Sequence, residues 1–159
     1  MILPLDAAHR ADLLALLRAT SEFSAEEVQV ALELMDASLG GDGDYRVRVD
    51  VDAAEAAHRL RGYICYGPTP MTEGTYDLYW LAVDPALKGR GVGRALVAFM
   101  EAELEREGAR LVRVETERSA AYHATCAFYD ALAYERAATL RDFYAKGRDL
   151  VIYTRRLPR

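Results

Sequence analysis

The sequence lacks several things that would each have directed its reading. No apolar run approaches the roughly 18 residues that a membrane-spanning helix needs. No basic segment followed by an apolar one opens the chain, so no secretory signal is expected. Cysteine is scarce: Cys65 and Cys126 have no metal-ligand spacing and read as reduced thiols in a cytoplasmic protein. His9, His58 and His123 have no metal spacing either, so no metal site is expected. Internal repeats, linkers and low-complexity segments are missing. A positive charge excess is missing too, and the net charge of −5 argues against a nucleic-acid partner. What is there is a chain of 159 residues, 52% hydrophobic and 28% charged. Those values fit one soluble globular domain over 1–159, large enough for a sizeable core.

Along the chain, Met1–Leu5 is an apolar run read as a first strand. Asp6 can cap a helix built on Leu13, Leu14, Leu16 and Leu17. Ser24 with Glu27 three residues on forms a capping box, and Val28, Ala31, Leu32 and Met35 follow at helical spacing until Gly40-Gly41. Between Asp6 and Glu55 stand twelve Asp/Glu against four Arg. This acidic third is either an amine-facing surface or a solvated helix face.

Asp42-Gly43-Asp44 reads as a turn, Tyr45–Val51 as a half-buried strand and Asp52–His58 as a polar connection. Leu60–Tyr66 is another strand, in which Gly62 permits close approach or a bulge, and Gly67-Pro68-Thr69-Pro70 breaks it. A strand at Tyr76–Val83 precedes a helix carrying Val92, Leu96, Phe99, Met100 and Leu104 on one face and stopping at Gly108. A strand at Leu111–Thr116, a helix at Ala120–Leu132 and strands at Tyr134–Leu140 and Leu150–Tyr153 complete the order β-α-α-β-β-β-α-β-α-β-β. The fold class is α/β, or α+β by stricter usage, with a mixed, mostly antiparallel central sheet flanked by helices.

Tyr76–Arg94 is the stretch that carries chemistry. A strand runs into Asp84-Pro85 and then into a loop with Gly89, Gly91 and Gly93 ahead of a helix. Glycines there let backbone N–H groups converge on an anion, and the helix N-terminus adds partial positive charge. A nucleotide P-loop would need Lys-Ser/Thr after its last glycine, and Arg94-Ala95 follow here. The dinucleotide fingerprint needs Gly-x-Gly-x-x-Gly, whereas this loop reads Gly-x-Gly-x-Gly. A plain flexible turn is the third reading. Lys88, Arg90 and Arg94 among the glycines favour an anion.

The run Leu81-Ala82-Val83-Asp84-Pro85-Ala86-Leu87-Lys88-Gly89-Arg90-Gly91-Val92-Gly93-Arg94-Ala95-Leu96 resembles the acetyl-CoA signature of the GNAT acetyltransferase superfamily, Gln/Arg-x-x-Gly-x-Gly/Ala. Lys88 stands at the Gln/Arg position. Ala127-Phe128-Tyr129-Asp130-Ala131-Leu132-Ala133-Tyr134 resembles the family's Phe-Tyr-x-x-Leu-Gly-Phe, with Ala133 for Gly and Tyr134 for Phe. Asp142-Phe143-Tyr144 and Asp149–Tyr153 are similar to a branch with an uncharacterised acceptor.

The resemblance implies the acyl-CoA N-acyltransferase fold, acetyl-CoA as cosubstrate and a small-molecule or peptide amine as acceptor. It places the pyrophosphate on the amides of Gly89, Arg90, Gly91, Val92, Gly93 and Arg94, beside Lys88. It pairs the pantetheine arm with the backbone of Leu81 and Val83 and directs the Leu81 amide at the thioester oxygen. Tyr129 aligns with the family's acid for the leaving thiolate, or else is a core aromatic. Asp77, four residues before Leu81, resembles the position of a general base in some members, or is a solvated strand carboxylate; Tyr79 could anchor the acceptor.

Ser119, Tyr122 and Thr125 would lie near the coenzyme tail, although relatives often carry Asn where Tyr122 stands. Cys126 reads as a small buried hydrophobe, and His123 as facing solvent. The acceptor would be chosen by the first two helices, the loop near Pro68–Thr72 and the tail near Phe143-Tyr144. A coenzyme-A-binding sensor without turnover, a protein N-terminal or lysine acetyltransferase, and a homodimer through the late strands are the other readings carried forward.

Overall fold

The computed structural model describes residues 1–20, 23–41, 44–52 and 59–158. His58, the Asp42-Gly43 part of the expected turn and most of the Asp52–His58 connection lie outside the described residues. Seven strands form one sheet: β1 (Ile2–Pro4), β2 (Arg46–Val51), β3 (Leu60–Pro68), β4 (Thr75–Val83), β5 (Leu111–Arg118), β6 (Glu135–Ala145) and β7 (Arg148–Arg156). Among the described residues four α-helices flank it: α1 (Arg10–Ala19), α2 (Ala25–Gly40), α3 (Val92–Arg106) and α4 (His123–Ala131). The strand order is β1-β2-β3-β4-β5-β7-β6. Among the described residues only β4 and β5 pair in parallel, because α3 carries the chain across between them while the other neighbours meet antiparallel.

Local chemistry explains the element ends. The Ser24 hydroxyl accepts from the Glu27 amide at 3.2 Å, and the Glu27 carboxylate accepts from the Ser24 amide at 2.8 Å, the reciprocal box read from the sequence. Gly41 closes α2 at φ +71°. Asp6 caps a single 3₁₀ turn, Ala7–His9, and α1 starts only at Arg10. Gly62 meets both expectations for it. A Cβ there would stand 2.8 Å from the Ala82 carbonyl oxygen and 3.1 Å from Val92, so α3 packs tightly over this point. The β2–β3 register also shifts beside Gly62, between Asp50 and Val51.

The sheet separates two cores. On one face α3 and α4 pack Leu96, Met100 and Tyr129 against Ile64, Val112 and Tyr153. On the other, α1 and α2 pack Leu13, Leu17 and Met35 against Val49, Tyr63 and Cys65. Among the described residues no helix is long and apolar enough to cross a membrane.

Two irregularities in β4 create the site. First, Cys65 faces Trp80 while Tyr66 faces Leu78, which leaves Tyr79 as an extra residue on β4. This bulge inverts the alternation of side chains. Tyr79 and Trp80 both join the α1/α2 face, and Leu81 and Val83 turn to the α3/α4 face. Second, β4 pairs with β5 only over Thr75–Leu78 against Leu111–Val114. Beyond Leu78 the two strands part.

Candidate active site

The parting of β4 from β5 leaves main-chain groups of β4 unpaired toward the gap. The Asp84 amide donates to the Arg61 carbonyl at 2.8 Å, and Val83 faces Gly62 and Leu81 faces Ile64. In antiparallel pairing this phase turns the N–H and C=O groups of Ala82 toward β3 and those of Leu81 and Val83 away from it, into the gap.

The gap holds two adjoining cavities. The first, of about 420 Å³, runs from Lys88 and the glycine loop along Leu81 and Val83 to Tyr129. The second, of about 240 Å³, lies between β4 and β5 on the side of α2 and the β6–β7 hairpin. Phe23, Leu81, Thr125 and Tyr129 line both, which makes them the junction.

At the loop, Gly89 and Gly91 adopt φ of +77° and +83°, a left-handed conformation that glycine takes without a Cβ penalty. Among the described residues the amides of Gly89, Gly91, Val92, Gly93 and Arg94 have no main-chain acceptor, and the Ala95 amide donates back to the Gly91 carbonyl at 2.9 Å. Arg90 differs from its neighbours. Its amide is spent on the Leu87 carbonyl at 3.1 Å and its side chain does not line the cavity, because the 3₁₀ turn Pro85–Leu87 folds the chain back there. Lys88 and Arg94 do line it. The arrangement fits a polyanion: five N–H groups without a main-chain acceptor at a helix start, flanked by two cations.

Tyr129 lies on α4, 3% exposed, with its ring 5.5 Å from the rings of Tyr134 and Tyr153. Burial pushes its phenol well above the ordinary value, so it stays protonated at neutral pH. Among the described residues no group hydrogen-bonds the Tyr129 hydroxyl. A protonated, uncommitted phenol at the junction is suited to donating a proton there.

Asp77 is not brought to the junction. It lines neither cavity. Its Oδ1 accepts from Arg113 Nε at 2.5 Å and its Oδ2 from the Thr69 hydroxyl at 2.8 Å. The Tyr79 bulge puts Asp77 and Leu81 on opposite faces, whereas unbroken alternation would align residues four apart. Tyr122 also stands elsewhere than expected: it lines the second cavity and not the first. Thr125 lines both and Ser119 neither. Cys126 is buried, with its thiol directed at the Glu117 carbonyl 3.7 Å away.

The second cavity contains residues that the sequence reading did not assign to the site, Glu27 having been read only as a helix cap within the acidic third. Trp80 packs edge-on against Phe23 with centroids 5.3 Å apart. Glu115 and Glu117 arrive from β5, Glu27 from α2 and Arg148 from β7. Arg148 grips Glu117 through both oxygens, at 2.8 and 2.5 Å, and this contact holds the Glu117 carboxyl below its usual range. The alternation Val112, Val114, Thr116 against Arg113, Glu115, Glu117 is the signal that could have marked two carboxylates on one strand face. Tyr144, already expected in acceptor choice, lines this cavity as well.

Comparison with known proteins places the fold and the family. A crystal structure from Desulfovibrio desulfuricans, assigned to the GNAT family of acetyltransferases, superposes with a TM-score of 0.91 at 34% identity, covering 99% of both chains. An aminoglycoside 6'-N-acetyltransferase solved with coenzyme A shares the fold, with a TM-score of 0.80 at 18% identity over 100% of this chain and 98% of that one. The Escherichia coli ribosomal protein bS18-alanine N-acetyltransferase is 36% identical over 67 residues, which are 42% of this chain and 44% of that protein. The matches span less than half the length of the curated relatives. The profile of the acetyltransferase (GNAT) family matches residues 13–134, and the chain belongs to that family.

Proposed function

We propose that the protein transfers an acetyl group from acetyl-CoA to a primary amine. The observation that carries this is the junction, where Tyr129 and the outward-facing main chain of Leu81 meet between a polyanion-binding cavity and a carboxylate-lined one. Acetyl-CoA supplies an activated thioester. The unpaired amides of Gly89 and of Gly91 to Arg94, with Lys88, are suited to its pyrophosphate. Leu81 and Val83 offer the free edge of β4 to the amide groups of its pantetheine arm, as to an added strand.

In the transfer the amine nitrogen bonds to the carbonyl carbon and the carbon–sulfur bond breaks. The Leu81 N–H holds the negative charge developing on the carbonyl oxygen. Tyr129 gives its proton to the departing sulfur, and the proton lost from nitrogen leaves through water, which restores the phenol. Asp77 has no part in this scheme, since Arg113 and Thr69 occupy its carboxylate.

Thiol release from acetyl-CoA with an amine panel tests the reading. Wild type is expected to turn over, and Tyr129→Phe to lose on the order of a hundredfold in kcat while binding coenzyme A within about twofold of wild type by calorimetry. Coenzyme binding without turnover on any amine would instead mark a coenzyme sensor.

A further inference from the structure

Resting on that function, we infer that the acceptor is a small amine carrying a second positive charge, and that Glu27 and Glu115 select it. Among the described residues, three carboxylates reach the second cavity from two elements, Glu27 on α2 and Glu115 and Glu117 on β5, against one lining cation, Arg148. Arg148 is committed to Glu117, so the remaining negative charge belongs to Glu27 and Glu115. Both also have protein partners. Glu27 accepts from the Ser24 amide, and Glu115 stands 3.3 Å from Arg113, which is shared with Asp77. Neither contact fills a carboxylate's capacity to accept.

Tyr144 lines the same cavity as the three carboxylates. Burial raises its phenol, and the charges of Glu115, Glu117 and Glu27 raise it further. Phe23, Tyr79 and Trp80 line the same cavity, and aromatic ring faces attract cations. At about 240 Å³ the space is smaller than the roughly 300–1,000 Å³ of a pocket for a drug-sized ligand. A short chain with one amine at the junction and a second cation near Glu27 and Glu115 satisfies charge, walls and size together. The same carboxylates repel an amine that ends in a carboxylate, so selection works by exclusion as well as by attraction.

The test compares three molecules of matched length: 1,5-diaminopentane, pentylamine and 5-aminopentanoate. Wild type is expected to favour the diamine over pentylamine by about tenfold in kcat/KM, mainly through KM, and to disfavour 5-aminopentanoate further. In the double variant E27Q/E115Q the ratio of diamine to pentylamine is expected to fall to within about twofold of one. Glutamine keeps the α2 capping box, and the melting temperature checks that the fold is retained. Equal use of the three amines by wild type, or a diamine preference that survives in the double variant, overturns the inference while leaving acetyl transfer standing. Failure to acetylate any amine while coenzyme A still binds overturns the transferase reading, and this inference with it.

Discussion

Ala133 holds a left-handed conformation, φ +58°, immediately after α4. The Tyr134 amide donates to the Tyr129 carbonyl at 3.1 Å across it, which closes the helix in the manner usually given to glycine. An L-residue there is strained by about 1–2 kcal/mol, partly offset by the greater freedom that glycine has in the unfolded chain. Ala133→Gly should therefore stabilise the protein by about 0.5–1 kcal/mol, read as a rise of roughly 2 °C in Tm. This departure was visible in the sequence, since the motif that Ala133 interrupts has glycine in that place. The fate of Asp77 was not. Which way a strand residue faces depends on every pairing between it and the reference residue, and the extra residue at Tyr79 is set by β3, a separate strand. Glu115 and Glu117 were hidden for a related reason: periodicity puts two carboxylates on one face, but only the parting of β4 and β5 gives that face a cavity to line.

Among the elements, α3 has two jobs. Its first turn presents the unpaired amides, and its last turns fix it to the sheet through Glu103. That carboxylate accepts from Arg48 at 2.8 Å and from Arg46 at 3.1 Å on β2, and from the Tyr66 hydroxyl at 2.9 Å on β3. Burial alone would raise the Glu103 pKa, but the hydrogen bonds from Tyr66 and Arg48 outweigh it and hold the group below its ordinary 4.5. A carboxyl with a depressed folded-state pKa stabilises the fold above its unfolded value and loses that contribution as pH falls through the folded one. Glu103→Gln is thus expected to cost about 1–3 kcal/mol at pH 7. Denaturant titrations of both proteins should converge as pH falls through the depressed folded-state pKa of Glu103, where the wild-type carboxyl itself becomes neutral. A constant gap down to pH 3 would mean that shape, and not charge, makes the contact. The helix itself was legible from the spacing of Val92, Leu96, Phe99, Met100 and Leu104; all but Phe99 are buried, and Val97 is buried where Phe99 is only half-buried. The clamp was not, because its partners lie 37 to 57 residues away.

At the scale of the whole molecule, the element order read from the sequence matches the observed one, and the sheet is mixed and mostly antiparallel as expected. That order followed from strong periodicity and from turn residues that act locally. The sheet's interruption did not follow, because nothing in β4 or β5 alone tells where two strands cease to touch. Its consequence reaches beyond the site. The sheet is joined across its middle by four residue pairs, Thr75–Leu78 with Leu111–Val114, whereas β5 and β7 are joined by eight. The molecule is in this sense two plates sharing a short seam, and a guest lying along Leu81 and Val83 supplies rungs that the protein's own ladder omits. Hydrogen–deuterium exchange should report it: without ligand, the amides of Leu81 and Val83 exchange at least about tenfold faster than those of Ile64 and Val151, and saturating coenzyme A slows them selectively. On the proposed function the coenzyme would serve, while bound, as a temporary strand, and the stiffness of the protein would become a measure of its occupancy.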